Sequence, residues 1–145
     1  MKKFNWASRS IILLLFIFII LMPVRSQSGQ SGLSGSPAQG VVLGTNNLDL
    51  DFSKHKVTFI ELGAERCIPC KAMQPIMKEI AAEYAGKIQV VFYDVWKDSR
   101  PARKYGIQLI PTQVFIDRNG IEIFRHVGFY EKNEILKMLK EKGIL

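Results

Sequence analysis

Cysteine, histidine and clustered positive charge are all scarce in this sequence of 145 residues. It has two cysteines and two histidines, and the histidines, His55 and His126, lie far apart. A metal held by the cysteines needs two further ligands, so we expect no metal site. Basic residues form no run within the globular part of the chain, and no aromatic-basic motif accompanies them. The sequence therefore lacks the electrostatic pattern of a nucleic-acid-binding protein.

The first 26 residues combine a basic start with an apolar run of limited length. No acid occurs in residues 1–37, which hold four bases, and an unbroken apolar run covers Ile11–Met22. As a helix this run rises about 18 Å, less than the roughly 30 Å hydrocarbon core of a bilayer. The pattern predicts a signal peptide cleaved after Ser26, with an uncleaved membrane anchor as the alternative. Either segment would place the rest of the chain in the periplasm or another extracytoplasmic space.

Residues 27–40 and 41–145 differ in composition. The first segment is rich in glycine, serine and glutamine and predicts a flexible linker. The second predicts one mildly basic globular domain, since 16 bases face 13 acids beyond residue 37. Its predicted elements are, in order, a strand, helix, strand, helix, strand, strand and helix at Val57–Leu62, 68–85, Ile88–Val95, 101–106, Thr112–Ile116, Ile121–Val127 and Glu131–Lys142. This order predicts an α/β fold with a mixed central β-sheet flanked by helices on both faces.

The two cysteines form a Cys-x-x-Cys arrangement where the first of these strands leads into the first helix. Cys67 falls at the helix N-terminus, where free backbone N–H groups and the helix dipole stabilise a thiolate. Arg66 and Lys71 add positive potential there. A thiolate is the nucleophile of disulfide exchange, so we expect Cys67 to attack a disulfide and Cys70 to resolve the mixed disulfide. Pro69 suits the first helical turn, which does not need its missing N–H.

A structural disulfide and a metal site are the alternatives for this pair. Exported proteins keep disulfides, but a bridge over so short a loop constrains the unfolded chain little. A metal site lacks further ligands at suitable spacing. The position between a strand and a helix is what favours a redox role.

The region Val57–Leu145 resembles thioredoxin in several separate segments. Residues 61–71 resemble the strand and active-site segment of that family, and Pro75 falls where the family has a helix-kinking proline. Residues 105–112 resemble the loop that carries the family's cis-proline, and Val127–Gly128 resembles the glycine near the substrate groove. The resemblance implies a thioredoxin-like fold for the domain.

The resemblance also implies roles for residues around the cysteines. It implies a cis peptide before Pro111, which leaves the backbone of Ile110 free to pair with an extended substrate; an ordinary loop proline is the alternative. Glu61 stands where the family has a buried aspartate. A buried carboxyl has a raised pKa and suits a general base for Cys70, whereas a glutamate facing solvent at the strand end does not. Gly128 is expected to line the same groove.

Three positions depart from the family pattern and change the expected shape of the groove. Arg66 replaces the usual tryptophan before the first cysteine, and Ile68 replaces the usual glycine between the cysteines. The usual aromatic residue is absent at Gly63. We therefore expect Arg66, Ile68 and Pro69 to contact substrate in a groove that is more cationic than that of a typical thioredoxin.

These expectations favour a disulfide reductase that cycles Cys67 and Cys70 between the dithiol and the disulfide. No histidine lies between the cysteines, whereas strong oxidants and isomerases of the superfamily usually have one there. The alternatives are a thiol oxidase or isomerase, and a redox-inactive module that binds peptides. We expect a monomer without cofactors that acts on protein thiols and disulfides. Because a bacterial periplasm is kept oxidising, a reductase there needs a membrane thiol donor of electrons.

Overall fold

The computed structural model describes residues 40–145. The predicted signal peptide or anchor (1–26) and the predicted linker (27–40) lie outside these residues, except for Gly40. The strands are β1 (Val42–Gly44), β2 (Val57–Gly63), β3 (Ile88–Asp94), β4 (Thr112–Asp117) and β5 (Glu122–Val127). The helices are α1 (Ile68–Glu83), α2 (Arg100–Lys104) and α3 (Lys132–Glu141), and a single 3-10 turn covers Phe52–Lys54. None of the helices in this part of the chain is long and apolar enough to cross a membrane.

The strands form one mixed sheet in the order β1-β3-β2-β4-β5. Strand β3 runs parallel to β1 and β2, whereas β4 is antiparallel to β2 and β5. Every residue of β2 is buried, because this strand is central and covered on both faces. The continuous apolar run predicted at Val57–Leu62 therefore forms the middle of the sheet.

Helices cover both faces of this sheet, as the sequence predicted. On one face Phe59 and Phe115 stack with ring centroids 4.8 Å apart and pack with Met73 of α1 and Ile135 of α3. On the other face, Tyr105 at the end of α2 packs into a second apolar cluster. The other members of this cluster include Leu48, Leu50, Ile60, Leu62, Val91 and Tyr93. Because side chains alternate along a strand, Glu61 lies on the same face as Phe59 and α1.

The observed elements differ from the predicted ones mainly at their ends. Helix α1 ends at Glu83, and the chain turns at Gly86, whose φ of +77° is readily adopted by glycine. The segment 41–43 has no assignable pattern in the sequence. It contributes to the short edge strand β1 through its pairing with β3, in which Val42 lies opposite Val90.

Candidate active site

The two cysteines lie where the carboxyl end of β2 leads into α1. Cys67 occupies the N-cap position of this helix with an extended backbone, φ −81° and ψ 120°. Its Sγ atom accepts a hydrogen bond of 3.3 Å from the backbone N–H of Cys70. Such a hydrogen bond strengthens when the acceptor carries a negative charge, and the helix dipole acts in the same direction. The start of α1 therefore stabilises the thiolate form of Cys67 after reduction.

Cys67 and Cys70 form a disulfide with an S–S distance of 2.09 Å and Cα atoms 5.2 Å apart. Cys67 is 8% exposed, whereas Cys70 is 1% exposed on the inner face of α1. A protein substrate meets the outer sulfur more readily than the inner one. Burial thus favours Cys67 as the attacking sulfur and Cys70 as the resolving sulfur.

Two cations flank the disulfide and have no ionic partner in the part of the chain that the structure describes. Arg66 and Lys71 are exposed and form no ion pair within residues 40–145. The neighbouring Glu65 is already paired with Lys97. The charges of Arg66 and Lys71 therefore add to the effect of the helix N-terminus beside Cys67, and both favour a thiolate.

The predicted substrate groove lies beside the sulfurs. The Ile110–Pro111 peptide bond is cis, as the sequence predicted. Ile110 packs in one cluster with both cysteines. Gly128 donates its backbone N–H to the carbonyl oxygen of Pro111 at 2.8 Å, and its φ of +99° lies in the region that favours glycine. The fold thus brings Ile110 next to the redox pair, and the other two residues predicted for the groove follow from it: Pro111 through the cis peptide bond and Gly128 through its hydrogen bond to Pro111.

Exposed apolar side chains border this groove. Ile68 is 82% exposed in the first turn of α1, and Leu109 is 66% exposed in the loop before the cis peptide. Val127 and Phe129, on either side of the groove glycine, are exposed as well. Pro69 is also exposed, so both residues between the cysteines are accessible to a substrate. An apolar border next to a reactive sulfur suits contact with apolar segments of another protein.

Glu61 is fully buried in the central strand. Its Oε2 atom accepts a hydrogen bond of 2.9 Å from Nε2 of Gln113. Burial raises the pKa of Glu61 to about 8, and the hydrogen bond from Gln113 opposes that rise in part. The alternative of a glutamate facing solvent at the strand end is therefore wrong, because the carboxyl lies inside the protein on the face covered by α1.

Gly63 brings β2 very close to the inner cysteine. A Cβ atom placed on Gly63 would lie 3.1 Å from Cβ and 3.2 Å from Sγ of Cys70, and 3.2 Å from Cε2 of Phe92. These distances are shorter than ordinary van der Waals contacts, so a side chain at position 63 would require its neighbours to shift. The ring of Phe92, on the neighbouring strand β3, thus borders the redox pair. Sequence reasoning missed Phe92, because its contact depends on the register of β2 and β3.

The histidines are not gathered with the cysteines into a ligand set. Within residues 40–145, no group of three or more histidine, cysteine or acidic side chains lies close enough to hold a metal ion. His126 instead stacks on Tyr130, with ring centroids 4.1 Å apart.

Comparison with known proteins gives the class to which this arrangement belongs. The thioredoxin family model matches residues 40–141. A thioredoxin of Staphylococcus aureus is 32% identical over 94 residues, which cover 63% of this chain and 89% of that protein. The structure of a Malassezia sympodialis thioredoxin superposes with a TM-score of 0.61 at 27% identity and covers 74% of this chain and 95% of that chain. The structure of a mutant thioredoxin from Halobacterium salinarum superposes with a TM-score of 0.61 at 25% identity and covers 74% of this chain and 94% of that chain.

A thioredoxin-like fold with a Cys-x-x-Cys pair at disulfide distance defines a thiol–disulfide oxidoreductase, the class that the sequence predicted. The chain belongs to the thioredoxin family. Its activity is thiol–disulfide exchange through Cys67 and Cys70 on protein thiols and disulfides. This assignment argues against the alternative of a redox-inactive module that only binds peptides.

Proposed function

We propose that the protein is an extracytoplasmic disulfide reductase that attacks protein disulfides with the Cys67 thiolate. The observation that carries the role of Cys67 as the nucleophile is the hydrogen bond of 3.3 Å from the Cys70 N–H to the Cys67 sulfur at the start of α1. Ile68 and Pro69 lie between the sulfurs and provide no imidazolium that would stabilise the dithiol form further. A strong oxidant depends on a highly stabilised reduced form, so this pair suits electron donation better.

The reaction proceeds in two exchange steps. The Cys67 thiolate attacks one sulfur of the substrate disulfide, forms a mixed disulfide and releases the other substrate sulfur as a thiolate. Cys70 then attacks the Cys67 sulfur, so that the Cys67–Cys70 disulfide forms and the second substrate sulfur leaves. The Cys70 proton passes to Glu61 in its ionised form, which is the minor form below the pKa of about 8 but a stronger base than an ordinary glutamate. The two electrons gained by the substrate come from the Cys67–Cys70 dithiol.

The groove holds an extended segment of the substrate during the first step. The backbone groups of Ile110 make no hydrogen bond within residues 40–145, so they can pair with a substrate backbone beside the sulfurs. Ile68 and Leu109 contact apolar substrate side chains, and the unpaired Arg66 favours acidic ones. Pairing through backbone groups explains how one groove can accept many protein substrates.

The location and the source of electrons follow from the predicted leader at residues 1–26. A reductase outside the cytoplasm is oxidised in each cycle and must be reduced again by a membrane thiol donor. The domain acts as a monomer in this proposal. An uncleaved leader would keep it close to that donor, and the linker at residues 27–40 would give it reach.

The reduction potential of the Cys67–Cys70 couple tests the direction of electron flow. We expect about −270 mV, the value of thioredoxin, from equilibration of the protein with dithiothreitol buffers of known ratio. The dithiol fraction is counted by alkylation and mass spectrometry, with Cys67→Ser as the control that shows no dithiol. A potential near −120 mV, about that of a strong oxidant, would overturn the reductase assignment in favour of an oxidase.

The N-terminus of the exported chain tests the location. We expect the full-length chain, expressed in a bacterium with two membranes, to appear in the periplasmic fraction with Gln27 as its first residue by mass spectrometry. An intact chain in the membrane fraction with its domain accessible to added protease supports the anchored form of the same proposal. An intact chain in the cytoplasmic fraction contradicts the extracytoplasmic location.

A further inference from the structure

Gln113 is a fully buried polar residue next to the predicted general base. It lies on β4 directly opposite Glu61 of β2, and on its other side it lies opposite His126 of β5. Residues that are paired across neighbouring strands share one face of the sheet. Gln113 therefore lies on the face that α1 and the cysteines cover.

The amide of Gln113 joins the buried acid to the substrate groove. Its Nε2 group donates one hydrogen bond to Glu61 Oε2 at 2.9 Å and another to the carbonyl oxygen of Gly128 at 3.0 Å. Gly128 is in turn hydrogen-bonded to the carbonyl oxygen of Pro111. One side chain thus contacts both the carboxyl group and the wall of the groove.

The second carboxyl oxygen of Glu61 has no such partner. Glu61 Oε1 is buried and makes no hydrogen bond within residues 40–145, and the same holds for Gln113 Oε1. An unpaired buried oxygen is costly as an ion but is tolerated when it carries a proton. Glu61 Oε1 is therefore the oxygen suited to take up a proton, while Oε2 stays fixed by the amide.

We propose that Gln113 is a positioning residue for the resolving step: its amide fixes Glu61 through Oε2, leaves Oε1 to receive the Cys70 proton, and ties this carboxyl group to the groove at Gly128. This inference rests on the proposed role of Glu61 as the base. A hydrogen bond to the carboxylate favours the ionised form and opposes the effect of burial. Without the amide, nothing opposes the effect of burial on the pKa of Glu61, so the carboxyl group becomes harder to ionise.

The surroundings of Glu61 limit which groups can titrate in this step. Strand β3 places Phe92 opposite Glu61, and strand β4 places Gln113 there. The side chains buried on this face from α1 and α3 are, apart from Cys70, apolar: Met73, Met77, Ile80, Ala81, Ile135, Met138 and Leu139. Within residues 40–145, the titratable groups on this side are thus the Cys70 thiol, the imidazole of His126 one strand beyond Gln113, and the phenols of Tyr130, which stacks on His126, and Tyr84.

The two exchange steps can be separated with Ellman's reagent. The reduced full-length protein releases one coloured thiolate when Cys67 attacks the reagent, and a second when Cys70 resolves the mixed disulfide. Stopped-flow absorbance over a range of pH gives a rate for each step. The rate of the second step reports proton removal from Cys70. If Gln113 had only a structural role, its replacement would not slow the second step more than the first.

We expect Gln113→Leu to slow the second step about fivefold or more at pH 7 and to shift its pH midpoint upward, because Glu61 ionises less readily. The first step should change less than about twofold, because Cys67 and the start of α1 are untouched. The matched control is Thr58→Val, which removes another fully buried polar group of the same sheet, hydrogen-bonded to Gln89. This control should leave both rates unchanged, and His126→Asn should leave the midpoint unchanged if Glu61 is the titrating group.

Three results would overturn the inference. The first is a second step in Gln113→Leu with the wild-type rate and pH midpoint. The second is equal slowing of both steps in that variant, and the third is a pH midpoint that moves in His126→Asn.

A second variant is needed in case Gln113→Leu does not fold. Gln113→Asn has a shorter amide that cannot reach both partners, and the same upward shift of the pH midpoint is expected for it. Glu61→Gln distinguishes the role of Glu61 from that of Gln113. If the second step is unchanged in Glu61→Gln, the role of Glu61 itself is contradicted. If the second step is slow in Glu61→Gln but normal in the Gln113 variant, only the role of Gln113 is contradicted.

Discussion

Replacement of Cys67 by serine is expected to abolish insulin-disulfide reduction. The serine hydroxyl is not ionised at neutral pH and cannot form a disulfide, and the remaining sulfur of Cys70 is only 1% exposed. We expect a loss of roughly a thousandfold or more, as for removal of an enzyme's nucleophile. The measurement is the turbidity of insulin chains with dithiothreitol as the electron donor, after subtraction of the rate without protein.

Replacement of Cys70 by serine is expected to stop the reaction one step later. Cys67 still attacks, but the mixed disulfide is not resolved and the substrate stays attached. Non-reducing electrophoresis should show adducts that dithiothreitol releases, and mass spectrometry of the released proteins identifies the substrates. The variant without either cysteine is the control and should form no adduct. Adducts on Cys67→Ser and none on Cys70→Ser would reverse the roles of the two sulfurs.

Replacement of Glu61 by glutamine is expected to remove a strong pH dependence of stability. The pKa of Glu61 is raised from 4.5 to about 8 in the folded protein. Between these values the native state keeps a proton that the unfolded chain has lost, so the free energy of unfolding falls as pH rises, by up to about 1.4 kcal/mol per pH unit. This stability is fully present below the unfolded pKa and is lost as the pH rises through about 8.

Glu61→Gln keeps an acceptor for Gln113 and has no proton to lose. We therefore expect similar unfolding free energies for the two proteins at pH 5 and an advantage for the variant on the order of 4 kcal/mol at pH 9. Guanidinium unfolding of the oxidised proteins at pH 5, 7 and 9 measures this difference. The control is Glu131→Gln, at an exposed position, which should follow the wild-type curve. Parallel curves for Glu61→Gln and wild type would contradict a buried carboxyl with a raised pKa.

The parts of the fold that have strong local signals were predictable from the sequence. The apolar run at Val57–Leu62 is central in the sheet, and the helix predicted from residue 68 begins there. Cys67 was expected at a helix N-terminus and is the N-cap residue. The cis bond before Pro111 was implied by the family resemblance rather than by any local pattern.

The parts that depend on strand register were not predictable. Strand β1 has three residues, too few for a periodic pattern, and it exists because it pairs with β3. Gln113 looks like one polar residue in an apolar strand, and its partner Glu61 lies 52 positions earlier in the chain. The position of Phe92 beside Gly63 likewise follows from the pairing of β2 with β3. Contacts between strands become visible only when the order and register of the sheet are known.

The side chains of Cys70 and Phe92 both approach Gly63 closely, so they limit which residue can occupy position 63. An aromatic residue at position 63, the usual choice in the family, has no ordinary space while Cys70 and Phe92 keep their places. A small residue at position 92 alone would leave a void beside Cys70, which costs stability in proportion to its volume. A larger residue at position 63 therefore requires both Phe92 and the side chain of Cys70 to shift, and a smaller residue at position 92 relieves only part of the crowding.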